Sequence, residues 1–466
     1  MNGSSHISSN NIKIDHFSHV YFVGIGGIGM SALARWCNAH GKHTAGYDKT
    51  STALTKSLID EGISITYIDD VQQIPESYRN TSHTLVVYTP AVPQDSSLMQ
   101  YFTKHKYTMI KRAQLLGILT KENFTIAIAG THGKTTTTSM IAHILKSAGK
   151  KISAFLGGIS VNYNTNLLLD DNSNINVVEA DEYDRSFLNL SPDISVITSA
   201  DADHLDVYAN HEEVLKSFSE FAHKIKPNGL LIVKQGLNLL LPTGVSCFYY
   251  DYAQGHAHAQ NVHIENGHFV FDYCSSHAFI RNIKLLTPGH HNVENAVAAI
   301  SVAIYMGIEP HAIQQAIESF KGVKRRFEYI CQSEKHIYID DYAHHPQELS
   351  ALLTSVKDLY PTKTIVCIFQ PHLYTRTRDF YVDFAQSLSL AHIVYLLDIY
   401  PAREKPIEGI SSQIIYDRIQ SSEKYLVHKE ELLEKLNVPA NAVVLTAGAG
   451  DIDTMVEKIR NKLMHA

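Results

Sequence analysis

No run in this chain approaches the roughly 18 consecutive apolar residues that a membrane-spanning helix requires. Cysteine is scarce: five residues, at positions 37, 247, 274, 331 and 367, with no C-x-x-C pair. So odd and scattered a set argues against a disulfide framework or a zinc ribbon and favours reduced thiols in a cytoplasm. Basic residues are not in excess. The 40 Lys and Arg stand against 47 Asp and Glu, a net charge of −7, which argues against non-specific binding to nucleic acid or an anionic membrane. Met1–Asn11 is rich in Ser and Asn and lacks the apolar stretch of a secretory signal, so residues 1–15 read as a disordered tail. Internal repeats and low-complexity tracts do not occur. What is present is an ordinary globular composition, 44% hydrophobic and 19% charged, over 466 residues, enough for about three domains.

The most informative stretch is Ala127-Ile128-Ala129-Gly130-Thr131-His132-Gly133-Lys134-Thr135-Thr136. An apolar strand, Phe124 to Ala129, breaks at Gly130 and turns through Gly133 into a helix over Thr135–Lys146. A strand, a Gly loop and a helix N-terminus in succession aim backbone N–H groups at one place, which suits a polyphosphate. Lys134 offsets charge on the outer phosphates, and the Thr135 hydroxyl suits Mg²⁺. The usual P-loop has Gly where Ile128 stands, so this loop is shorter than the common pattern. The stretch reads as an ATP site, with Gly130, Thr131, His132, Gly133, Lys134, Thr135 and Thr136 as its residues.

Upstream, the strand Ser18–Val23 runs into Gly24-x-Gly26-x-x-Gly29, followed by a helix from Met30 to His40 and a second strand, His43–Tyr47. Asp48 ends that strand at the distance expected of the acidic residue in a dinucleotide-type fingerprint. The pattern places a diphosphate-bearing nucleotide on a helix N-terminus without saying which one. Further βα units follow at Ile63–Ile68 and Leu85–Thr89. The exit through Pro90 and Pro93 reads either as a binding edge or as a plain turn. The first domain hands over near Lys111–Leu119.

In the middle of the chain, Asn176-Val177-Val178-Glu179-Ala180-Asp181-Glu182 is a strand whose end carries three carboxylates, and Ile194–Ser199 runs into Asp201-Ala202-Asp203-His204. Ligand groups gather beyond the carboxyl ends of strands in open α/β sheets, so Glu179 and His204 are candidates for an Mg²⁺ site beside the loop. A helix opens at Pro288-Gly289-His290-His291-Asn292 and runs through Met306. Asn292 and Asn295 share one face, either to hydrogen-bond a base or ribose or as ordinary surface residues. A third α/β region starts near Phe320, with strands at His336–Asp340, Thr364–Phe369, His392–Leu397 and Ala442–Thr446. Its strand ends carry Asp341-Tyr342-Ala343-His344-His345-Pro346, Gln370-Pro371-His372-Leu373-Tyr374-Thr375-Arg376 and Asp398–Glu404. Ends so rich in His and Arg are poor core material and read as a site.

Taken in order, Gly24–Ser31, Gly130–Thr136, Glu179–Glu182, Ala202–His204, His291–Asn295, Arg325–Phe327, Asp341–Pro346 and Gln370–Asp379 closely resemble the blocks of the Mur ligases of peptidoglycan synthesis, across nearly the whole chain. The resemblance implies an α/β chain of three domains: a Rossmann-like UDP-binding domain (16–112), a central P-loop ATPase-type domain (113–321) and a C-terminal Rossmann-like domain for the amino acid (322–466). It implies an ATP-dependent amide ligase that joins L-alanine to the lactyl carboxylate of UDP-N-acetylmuramate through an acyl phosphate, releasing ADP and phosphate. By resemblance, Gly24, Gly26, Gly27, Gly29, Met30, Ser31 and Asp48 hold the UDP substrate. Lys134 serves the phosphates, Thr135 and Glu179 one Mg²⁺, and His204 a second. Asn292, Asn295 and Arg326 face ATP, Asp341 belongs to the third domain's side of the site, and Tyr342, His344 and Arg376 line the amino-acid pocket. Leu373 departs from the family, which often has Arg there, and leaves Arg376 as the carboxylate partner. No counterpart of the carbamylated Lys of related families stands near His204.

The residues support that chemistry in their own right. A carboxylate is a poor electrophile until phosphorylation gives it a leaving group, and phosphoryl transfer between anions needs metal and cationic side chains. Substrates brought from three domains imply closure of the third domain over the second. His344 and His204 are the candidate bases for the amine, with a free-amine population as the alternative. Rival readings are a recycling ligase that takes an intact peptide, a nicotinamide-dependent oxidoreductase and a nucleotide switch. The oxidoreductase leaves the Lys134 loop and the acidic strand ends unexplained, and a switch predicts turnover without amino-acid product. The expected partners are UDP-N-acetylmuramate, L-alanine and ATP, in a cytoplasmic monomer or weak homodimer with no membrane insertion.

Overall fold

The computed structural model describes residues 12–201, 208, 210–402 and 404–465. His204 and Arg403 lie outside the described residues. Two compact units partition the chain, 1–258 with 275–278 and 297–316, and 259–274 with 279–296 and 317–466.

The first unit contains two sheets. His19–Val23 is apolar and buried from Val20 on, and it lies at the centre of a five-stranded sheet ordered Ser64–Thr66, His43–Tyr47, His19–Val23, Thr84–Tyr88, Thr108–Lys111. Every neighbouring pair in it is parallel. Helices cover a parallel sheet on both faces, which is why these strands read as unbroken apolar runs. The order reverses at His19–Val23, and the Gly24 loop leaves that strand into the helix Ile28–Ala39. Within the stretch read as a tail, Ile14–His16 forms one 3₁₀ turn whose Ile14 carbonyl accepts from Lys42 Nζ.

In the second sheet, Phe124–Ala129 pairs in parallel with Ile175–Glu179 on one side and Ile194–Ile197 on the other. Leu230–Lys234 and Ser246–Tyr250 extend one flank, and Ile152–Ser160 with its antiparallel partner Thr165–Leu169 extends the other. The helix Lys134–Ser147 buries Met140, Ile141, Ile144 and Leu145 at helical spacing. The two sheets are latched by Asn166, fully buried on the strand Thr165–Leu169. Its amide donates to the Ile28 carbonyl (2.6 Å) and Ser31 Oγ (2.9 Å), and its oxygen accepts from Arg35, which also clamps Glu61 through two nitrogens.

The second unit is organised on a six-stranded sheet ordered Glu328–Gln332, His336–Asp341, Ala442–Ala447, Thr364–Phe369, Ile393–Leu396, Glu423–Leu426. Only the first pair is antiparallel. Tyr338, Val366, Ile368, Val444 and Ile459 form its core. The antiparallel pair His268–Ser275 and Phe279–Leu285 was not among the expected elements. Strands at Ile152–Ser160, Thr165–Leu169, Leu230–Lys234, Ser246–Tyr250, Glu328–Gln332 and Glu423–Leu426 were likewise not expected, whereas most of the strands that were expected fall within one or two residues of their bounds. The strand expected over Ile63–Ile68 is shorter, Ser64–Thr66, because only three residues pair with its neighbour.

Candidate active site

The loop after His19–Val23 is shaped by contacts that exclude side chains. Gly24 has φ +88°, and a Cβ there would come within 2.6 Å of Thr89. Asp48, at the end of the next strand, accepts the Gly26 N–H at 2.7 Å and the Thr50 N–H at 3.1 Å. Asp48 therefore shapes the loop itself. Gly27 caps the helix Ile28–Ala39, whose first turn carries Gly29, Met30 and Ser31.

From Gly29 a cleft runs to the acidic strand end of the second sheet. Ile28, Leu33, Leu116, Phe155 and Leu156 make its apolar walls, and Arg112, Glu179 and Asp181 contribute charge. Gly157 is what admits the Glu179 carboxylate, since a Cβ there would lie 2.1 Å from Oε2.

The phosphate-type loop is fixed against the strand end at 198–199. Thr198 Oγ1 donates to the carbonyls of Ala129 (3.1 Å) and His132 (2.5 Å), and Ser199 Oγ accepts the His132 N–H at 2.8 Å. Gly130 (φ +143°) has no room for a side chain beside Thr198, and Gly133 (φ +80°) caps the helix that starts at Lys134. Lys134 Nζ donates to the Gly130 carbonyl (2.5 Å), the Thr131 carbonyl (3.2 Å) and Glu182 Oε1 (2.9 Å). Burial opposes the charge on Lys134, but the carboxylates of Glu182 and Glu179 outweigh it, and the pKa stands above its ordinary value. Thr135 is buried and Thr136 half-buried in the first turn behind it.

In the second unit, the turn Arg325–Phe327 is held in an unusual conformation. Arg325 (φ +60°) and Phe327 (φ +49°) are left-handed, a cost on the order of 1–3 kcal/mol each that surrounding bonds must offset. Arg325 pairs with buried Asp340 (3.0 Å) and donates to the Gly448 carbonyl (2.7 Å). Asp341 accepts the Phe327 N–H (2.6 Å) and the Ala343 N–H (2.7 Å). Arg325 is thus an anchor, while Arg326 lies over the Tyr342 ring (5.1 Å) with Glu348 Oε1 at 3.8 Å. Burial raises the Asp341 carboxyl to about 6 against the pull of Arg326 and the two N–H groups. Burial likewise lowers His344 to about 4, with Glu348 opposing and Arg376 assisting.

His344 Nδ1 donates to the Tyr342 carbonyl at 2.9 Å and lies 6.0 Å, ring to ring, from His372, which stacks on Tyr400. Leu373 takes φ +71° as the N-cap of Tyr374–Leu388, and Arg376 is buried in that helix's first turn. Asn292 donates to the Pro288 carbonyl (2.8 Å) and accepts from Asn295 (3.2 Å), so both amides are engaged within the helix start.

Three residues here escaped the sequence reading as site residues: Glu182, Arg112 and Glu348. Glu182 stood inside a named motif, but nothing local separates it from its two acidic neighbours. Arg112 carried no signal. Glu348, which accepts the N–H groups of His344 (3.0 Å) and His345 (3.3 Å), was accessible through the His-Pro-x-Glu start of the helix Pro346–Leu359.

Residues 19–124 match the model for the Mur ligase family, catalytic domain, 128–303 that for the Mur ligase middle domain and 325–450 that for the Mur ligase glutamate ligase domain. A UDP-N-acetylmuramate–L-alanine ligase of Christiangramia forsetii is 49% identical over 97% of this chain and 99% of its own, and one of Cytophaga hutchinsonii is 48% identical over 96% and 97%. Among solved structures, UDP-N-acetylmuramate-alanine ligase MurC of Thermotoga maritima superposes with a TM-score of 0.83 at 29% identity, covering 96% of this chain and 99% of the other. A murein peptide ligase of Psychrobacter arcticus shares the fold at a TM-score of 0.68 and 22% identity, over 96% and 98%. With three family models in order and relatives near half identity end to end, this chain belongs to the Mur ligases.

Proposed function

We propose that the protein joins L-alanine to the lactyl carboxylate of UDP-N-acetylmuramate, converting ATP to ADP and phosphate through an acyl phosphate. The observation that carries this is the first unit's geometry. A diphosphate-type loop at Gly24–Gly29 and a charged Lys134 at a polyphosphate-type loop lie at strand ends of adjoining sheets, with a cleft running from Gly29 to Glu179. Near-full-length relatives carry the alanine ligase name, which supports the same substrate pair.

Each assigned group has a stated task. The loop N–H groups and Lys134 hold and neutralise the ATP phosphates, and Glu182 keeps the ammonium in place until they arrive. Thr135 and Glu179 would hold one Mg²⁺, with His204 on a second. The space Gly157 leaves for the Glu179 carboxylate and the Thr135 position at the loop fit such a hard cation. Bound Mg²⁺ would supply charge neutralisation at the phosphates. Asn292, Asn295 and Arg326 are assigned to the nucleotide, and Asp341 orders the Arg326 turn through two N–H bonds. Tyr342, His344 and Arg376 are assigned to the amino acid. His344, neutral at pH 7, suits an incoming uncharged amine.

We propose domain limits of 16–112, 113–321 and 322–466, a reading supported by the three separate sheets, while the first family model runs on to residue 124. A cytoplasmic setting, where ATP is supplied, and a monomer or weak homodimer complete the reading. Among the described residues, no helix is long and apolar enough to cross a membrane. Product mass spectrometry with ATP, UDP-N-acetylmuramate and each amino acid in turn tests it. L-Alanine is expected as the best substrate, with glycine and L-serine weaker. Preference for a charged amino acid, or for an intact peptide, contradicts it.

A further inference from the structure

Among the described residues lining the Gly29–Glu179 cleft, Arg112 is the one cation, and it belongs to neither motif that flanks it. Two contacts distinguish it from a surface arginine. On one side the guanidinium abuts Gly29 in the first turn of Ile28–Ala39, where a Cβ would lie 2.4 Å from Nη1. The missing side chain brings the cation beside the backbone loop assigned to the diphosphate. On the other side Nη2 donates to Asp181 Oδ2 at 2.9 Å, one residue before the Glu182 that pairs with Lys134. The Arg112 side chain keeps 21% of its surface open to solvent, and most of its five donors remain for another acceptor.

Asp181 is held on its other oxygen as well, where Oδ1 accepts the Tyr183 N–H at 3.1 Å. Asp184 (φ 54°) and Arg185 (φ 52°) just beyond it are consecutive left-handed residues, a conformation that persists only when its surroundings over-determine it. Lys111 pairs with Asp184 (2.7 Å) and Arg185 with Glu213 (3.0 Å) at this turn. The guanidinium, at the end of the longer side chain, already lines the cleft beside Gly29.

Given the ligase reading above, we infer that Arg112 is a substrate-binding residue that exchanges Asp181 for anionic oxygens of UDP-N-acetylmuramate. A sugar nucleotide reaching from the Gly24–Gly29 loop toward Glu179 passes the guanidinium with two anionic groups, its diphosphate and its lactyl carboxylate. Either matches the planar donor fork of arginine. Asp181 holds the fork in the cleft while the substrate is away and competes with it on arrival.

Calorimetry with UDP-N-acetylmuramate and with UDP-N-acetylglucosamine, which has the diphosphate but no lactyl carboxylate, tests this beside steady-state kinetics. Arg112→Gln is expected to raise the Kd and KM for UDP-N-acetylmuramate about tenfold to a hundredfold, with the KM for ATP unchanged. An equal loss for both ligands assigns the diphosphate, and a loss confined to UDP-N-acetylmuramate assigns the carboxylate. Asp181→Asn keeps the oxygen for Tyr183 but removes the competitor, so the substrate should bind a few-fold tighter, where a purely structural ion pair would give weaker binding. Should Arg112→Gln not fold, Arg112→Lys, which keeps charge but loses the fork, carries the same readouts. Unchanged Kd in a folded variant, or an equal rise in the KM for ATP, overturns the assignment. A wild-type protein that binds neither ligand overturns the ligase reading and the assignment with it.

Discussion

At the end of the second sheet, Lys134 keeps its charge despite burial, because Glu182 and Glu179 outweigh the desolvation. At the end of the third sheet the balance runs the other way. Burial drives His344 down to about 4 and Asp341 up to about 6, although Glu348 and Arg326 oppose those shifts. The residue types are similar in the two places, and the outcome turns on whether the neighbouring charges act together against burial, as at Lys134, or oppose one another, as at Asp341 and His344. Lys134 has a carboxylate oxygen at 2.9 Å backed by Glu179, whereas His344 has one Glu348 oxygen at 3.3 Å and the cations of Arg376 and Arg326 against it. A cluster that preserves charge suits polyphosphate, and one that suppresses it suits an uncharged amine.

The largest expected effect breaks the charged side. Lys134→Ala should lower activity by about two to four orders of magnitude, while UDP-N-acetylmuramate binding measured by calorimetry survives. Loss of both together would show that the two loops do not work separately.

The uncharged side is probed by stability against pH. Asp341 has a folded pKa near 6 and an unfolded value near 3.8, so its contribution is present in acid and is lost as pH rises through 6. His344 has a folded value near 4 and an unfolded value near 6.5, so stability is lost as pH falls through that window. In the intact protein the two nearly cancel. Asp341→Asn should therefore lose on the order of 2 kcal/mol more than wild type between pH 7 and pH 4.5 in urea unfolding, and His344→Gln should shift the slope the opposite way. Parallel curves for all three proteins would mean that these groups titrate as they do in water.

A smaller effect concerns the amino-acid carboxylate. Arg376→Lys, which cannot reproduce a bidentate pair, should raise the KM for alanine about tenfold with ATP affinity little changed. A neutral outcome would leave the carboxylate to other groups of the pocket.

Glycine patterns and unbroken apolar strands made the central strands of the three sheets and both loops legible in the sequence, because each is set within a dozen residues, whereas edge strands such as Thr165–Leu169 and Glu423–Leu426 carried no such signal. The phosphate-type loop needed only Gly130, Gly133 and the strand before them. Partnerships were not legible. Arg112 meets Asp181 across 69 positions, Lys134 meets Glu182 across 48, and Arg35 meets Asn166 across 131. Nothing in local periodicity encodes such pairs. The bond from the loop's own Gly26 N–H to the Asp48 carboxylate is a further partnership that the spacing from Gly29 does not announce. The left-handed backbone at Arg325, Phe327 and Leu373 was invisible too, since no glycine marks it.

The central claim is that the carboxylate is activated by phosphorylation before the amine attacks. UDP-N-acetylmuramate labelled with ¹⁸O in its lactyl carboxylate tests it directly, with ATP, Mg²⁺ and L-alanine, by mass analysis of the released phosphate. One labelled oxygen per phosphate is the result this account requires. Unlabelled phosphate, formed together with the alanine product, would contradict it.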